Sequence, residues 1–97
     1  MSTAEQDAAA RRLNDLMALL RTQPPSEHFE RLTEEAEALG RAIAAFHLEG
    51  IRFRIYNVDR MVSHGPVALP PEAAAIVADV RKHLEAAGFH TRSHSLP

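Results

Sequence analysis

Arg52, Arg54 and Tyr56 alternate with Ile51, Phe53 and Ile55. Strict alternation predicts a half-buried strand with one apolar and one basic face. On a strand, guanidinium groups two residues apart point the same way and clamp a phosphate or carboxylate. Arg60 follows just beyond, in a turn read over Asn57-Val58-Asp59-Arg60. Bases interleaved with an aromatic ring on a sheet also match how some modules stack single-stranded nucleic acid. Here the ring is a single tyrosine, and the glycine-aromatic motif of those modules is missing. Arg52, Arg54, Tyr56 and Arg60 are therefore the candidate ligand- or partner-binding residues. The competing reading pairs these arginines with acids of the preceding helix, Glu30, Glu34 and Glu37.

The remaining chemistry-bearing side chains form no catalytic pattern. Ser63 stands next to His64, but neighbours on extended backbone point apart, and no nucleophile elbow surrounds them. Asp59 and Asp79 are single carboxylates. The four glycines, Gly40, Gly50, Gly65 and Gly88, are isolated, so no phosphate-cradling loop is present. His90 and His94 share a face of a strand read over residues 89–95, about 13 Å apart and too far to share one metal ion. His83 joins them only by tertiary accident. The sequence thus predicts neither enzyme activity, nor a metal, nor a cofactor.

The elements that must carry these residues follow from period and punctuation. Ala9, Leu13, Leu16, Met17 and Leu20 recur at helical spacing and predict a helix over 3–22, with Thr3 and Gln6 as a capping box. Gln23-Pro24-Pro25 stops it. Ser26 caps a second helix, expected to run to Glu49 with Gly50 ending it in a left-handed conformation. Along it Phe29, Leu32, Ala36, Leu39, Ile43 and Phe46 form an apolar seam at alternating steps of three and four. Such a seam demands a partner: helix 1 folded back as an antiparallel hairpin, a second copy of the chain, or both. Phe29, Leu32, Leu39, Ile43 and Phe46 are the candidate interface residues. Gly40, at the centre of the helix, implies close packing there, because glycine is costly in a helix interior. Residues 61–63 read as a short second strand. A third helix starts at Pro70-Pro71, presents Ala73, Ile76, Val77, Val80 and Leu84, and ends at Gly88.

The expected fold is α+β in the order α-α-β-(β)-α-β: one domain over 1–97, with a helical hairpin at 3–49 and a strand-helix-strand part at 51–95. An apolar fraction of 45% and a charged fraction of 25% are ordinary for a globular protein. The net charge of −2 divides unevenly, with an acidic first half and a mildly basic, histidine-rich second half. There are no cysteines, so disulfides and thiolate metal sites are excluded, which fits a cytoplasmic setting. The first residues lack a signal peptide's basic and apolar regions, and no apolar run approaches the ~20 residues of a membrane span. Richness in Ala and Arg with one Lys points to a GC-rich bacterial genome. The expected function is a small homodimeric protein-interaction or regulatory module. Nucleic-acid or anionic-ligand binding through the Arg52/Arg54/Tyr56 face is the first alternative, and a small-molecule-binding domain the second.

Overall fold

Four helices account for the chain between Thr3 and Ala86. A computed structural model describes residues 3–89: α1 (Thr3–Arg21), α2 (Glu27–Ala44), α3 (Leu48–His64) and α4 (Pro71–Ala86). The apolar stripe and the Pro24-Pro25 stop of α1, the start of α2 and the start of α4 act as expected. Ser26 accepts a hydrogen bond from the Phe29 N–H at 3.0 Å, and Pro71 opens α4. Gln6, expected in a capping box, is buried, and its Nε2 donates to the Ile43 carbonyl at 2.6 Å, tying the first turns of α1 to the end of α2.

Among the described residues the expected sheet is absent. No strand occurs among the described residues, so the α+β assignment is corrected to all-α. Residues 51–64, read as a strand, a turn and a second short strand, form α3. Phe53 explains the error. Ile51, Ile55 and Val58 are buried, with Val62 packed beside them, which is the i, i+4, i+7, i+11 row of a helix. Phe53 breaks that row and is 52% exposed. Its presence between two core isoleucines imitates a period of two over a window too short to separate the alternatives. The last strand expected, 89–95, lies outside the described residues after Phe89.

The helices pack in a ring, α1 on α2, α2 on α3, α3 on α4 and α4 on α1, around one apolar core. Contacts fix their directions. Gln6 meets Ile43 at opposite ends of α1 and α2, and His28 meets Met61 at opposite ends of α2 and α3. Glu5 meets His83, and Arg12 meets Asp79, so α4 runs antiparallel to α1. Each helix gives one buried row: Ala9, Leu13, Leu16 and Leu20 from α1, Phe29 to Ile43 from α2, Ile51 to Val58 from α3, and Ala73 to Leu84 from α4.

The second helix stops before Gly50. Its end is a Schellman closure: the Phe46 N–H bonds Ile43 O at 3.2 Å and the His47 N–H bonds Ala42 O at 3.0 Å. Phe46 occupies the left-handed position, φ 54°, that glycine normally fills. His47 then caps α3, its Nδ1 accepting from the Gly50 N–H at 3.2 Å. Gly50 is required there for space: a Cβ would lie 2.5 Å from His47 Nδ1 and 3.3 Å from Ala42 Cβ. The same closure ends α4, with Gly88 at φ 103° and the Phe89 N–H on Leu84 O at 2.9 Å. Gly40, by contrast, is not tightly packed: a Cβ would meet Leu13 Cδ2 at 3.7 Å, an ordinary contact.

Candidate functional site

In helical form the expected basic face comes apart. At about 100° per residue, Arg52, Tyr56 and Arg60 fall in one row of α3, while Arg54 projects from another side. Arg52 reaches Glu49 at 3.5 Å, and its Nε is buried with no hydrogen-bond partner among the described residues. Arg54 grips Glu35 of α2 with Nη1 at 3.0 and 3.1 Å from its two oxygens, and Asn57 Nδ2 adds a bond to the same carboxylate at 2.8 Å. The acid that holds Arg54 is thus Glu35, not Glu30, Glu34 or Glu37, because Glu35 lies on the flank of α2 that meets α3. Arg60 lies over the Tyr56 ring, 5.9 Å from its centroid.

Four of the five candidate interface residues, Phe29, Leu32, Leu39 and Ile43, are buried in the intramolecular core. Only Phe46 reaches the surface, at 44% exposure, with its ring 6.1 Å from that of buried Phe89. It belongs to an apolar elbow where α2 turns into α3. Leu48 (38% exposed) and Phe53 follow it closely in the chain, so among the described residues three of the four large exposed apolar side chains lie within residues 46–53. Beside Phe53 runs a groove of about 550 Å³, floored by Ala38, Ala42, Ala45 and Gly50 and rimmed by Arg41, Glu49 and Arg54. Sequence reasoning missed Leu48 and Phe53 because it placed one at the end of a helix and the other on a buried strand face.

No family model, curated protein or solved structure matches the chain. The surfaces themselves therefore carry the functional argument.

At the other end of the α2–α3 face lies a polar cleft of about 360 Å³. Arg31 stands on its α2 side, Arg60 and His64 on its α3 side, and His28 at its floor. His28 is buried, and its Nε2 lies 3.2 Å from the Met61 carbonyl, which fixes the ring. Gly65 closes the mouth. A Cβ there would collide with His28 Nε2 and the Met61 carbonyl, so the backbone passes at a distance only glycine allows. Glu35 also lines this cleft, but its carboxylate is held by Arg54 and Asn57. Glu35 and Arg54 form the boundary between cleft and elbow.

Several other charged groups join one helix to another. Arg12 joins α1 to α4 through Asp79 at 2.9 Å and also bonds Asp15 at 3.0 Å; Asp15 first, then Asp79, raise its pKa above the ordinary arginine value. Arg81 bonds Asp59 at 2.9 Å, and His83 Nδ1 lies 2.7 Å from Glu5. The Ser63 hydroxyl donates to Asp59 at 3.2 Å, one turn earlier on its own helix. Among the described residues no three His, Asp or Glu side chains converge on a metal position, and no helix is long and apolar enough to cross a membrane. His90 and His94 lie outside the described residues.

Proposed function

We propose that this protein is a non-catalytic, self-associating protein-interaction module whose contact surface is the α2–α3 elbow, not the seam of α2. One observation carries the reading: the elbow holds a ridge and a matching groove side by side. Phe53 projects from α3, and the alanine-floored groove lies next to it. A two-fold contact uses one patch twice, so each copy must offer both shapes. Phe53 of each copy then enters the groove of the other. The rim charges suit such a contact: Arg41 and Glu49 both border the groove, and we place the two-fold axis between them, so that Arg41 of one copy meets Glu49 of the other. Burying a phenylalanine ring contributes about 1.5–3 kcal/mol, and aromatic anchors at the centre of a patch dominate association.

Size-exclusion chromatography with light scattering tests this directly. The expected result is a dimer at micromolar concentration, and a monomer of unchanged helicity for Phe53→Asp. Arg41→Glu and Glu49→Arg each weaken the dimer, and the double variant restores it. A wild-type chain that stays monomeric at high micromolar concentration, or a Phe53→Asp variant that still dimerises, removes the reading.

A further inference from the structure

We infer that the cleft between the start of α2 and the end of α3 binds the phosphate group of a small phosphorylated molecule, with Arg31 and Arg60 as its clamp. Phosphate binding there does not depend on self-association, because the cleft lies at the opposite end of the α2–α3 face from the elbow.

Charge balance supplies the first step. Four of the nine described arginines have an acid: Arg12 has Asp15 and Asp79, Arg52 has Glu49, Arg54 has Glu35, and Arg81 has Asp59. Arg11, Arg21, Arg31, Arg41 and Arg60 form no ion pair among the described residues, and of these Arg31 and Arg60 border one cleft together. The acid that also borders it, Glu35, is neutralised by Arg54 and takes a further bond from Asn57. The polar wall therefore carries uncompensated positive charge, and a helix on each side supplies one guanidinium. A guanidinium presents its N–H groups as a planar fork that matches phosphate oxygens, and such charge-assisted bonds are roughly twice as strong as neutral ones.

Construction is the second step. Arg60 is not a free arm, since its guanidinium rests over Tyr56. His28 is held by the Met61 carbonyl, and Gly65 leaves no side chain at the mouth. Preorganised groups lose less entropy on binding, which is where a small site gains affinity. A volume of about 360 Å³ falls at the low end of ligand pockets, and it accommodates a sugar phosphate rather than a polymer.

Two-dimensional NMR of the intact protein titrated with ribose 5-phosphate and with ribose decides the matter. Saturable shifts are expected for ribose 5-phosphate at the Gly65 amide and the Arg31 and Arg60 side chains, and none for ribose. Arg60→Ala and Arg31→Ala should each weaken binding by about tenfold or more, the loss of one charge-assisted contact. Arg11→Ala, on the exposed side of α1, should leave it unchanged. All three positions are on the surface, so folding survives, which circular dichroism checks. The inference is overturned if shifts fail to saturate at millimolar ligand, or if Arg11→Ala weakens binding as much as Arg60→Ala. It is also overturned if a single-stranded oligonucleotide binds more tightly than ribose 5-phosphate. Loss of phosphate binding with a surviving dimer removes only this inference; the reverse outcome removes only the elbow reading.

Discussion

Phe46 concentrates the tension between local preference and tertiary use. A bulky side chain in the left-handed region costs roughly 1–2 kcal/mol, which is why glycine is the usual residue at this point of a helix closure. The ring offsets that cost by resting against Phe89 and by covering the corner between α2 and α3. Two truncations separate these terms. Phe46→Ala loses the ring and keeps the strain, whereas Phe46→Gly loses the ring and removes the strain. Phe46→Gly is expected to be more stable than Phe46→Ala by about 1 kcal/mol in urea unfolding, the reverse of the order in a helix interior. Equal stabilities would show that the left-handed conformation carries no penalty here. A reader of the sequence had no reason to end a helix at a phenylalanine when Gly50 stood four residues further on. Gly50 serves a different purpose, the close approach of His47 and Ala42.

At the scale of elements, α3 shows how a sequence hides a helix. Its apolar row is complete, yet Phe53 interrupts it on the solvent side, and Arg52 and Arg54 complete an alternation that exists only on paper. Helix and strand make opposite predictions for two neighbouring sites. A strand buries residues 53 and 55 on one face; the helix buries only Ile55. Ile55→Ala is expected to cost about 2–5 kcal/mol, and Phe53→Ala to fall within about 0.5 kcal/mol of neutral when both are measured in dilute solution. Comparable losses at both positions would contradict the helical register. The elements that were legible had two agreeing signals. The first helix had a long periodic stripe and the Pro24-Pro25 stop. The start of the second had Ser26 and the seam, and the fourth had Pro71 and Gly88. The candidate surfaces were less legible because they are made by juxtaposition. Arg60 was singled out, but its partners across the cleft, His28 and Arg31, are distant in sequence. The seam was visible, but that its residues are filled from inside the chain depends on α1 and α3 together.

For the whole molecule, an elbow that pairs two copies links unfolding to concentration. A contact made only by the folded state stabilises it by mass action, so the thermal midpoint should rise as protein concentration rises. Phe53→Asp should abolish that dependence while leaving the midpoint of the dilute protein nearly unchanged. A midpoint independent of concentration across the micromolar range would mean that folding and association are not coupled. The ring of helices has a further consequence, for the order in which the chain acquires structure. Its most extensive interface joins α1 to α4, the two described helices farthest apart in sequence, and not two consecutive ones. Helical proteins usually fold fast because their contacts are local. Here the largest gain comes only after the widest loop has closed, and closing it costs chain entropy in advance. Until α4 has been synthesised, the apolar row of α1 meets only α2. Of the four described helices, α1 is thus made before the others yet among the last to be fully enclosed, and a nascent chain carries Leu13 and Leu16 partly uncovered until α4 follows.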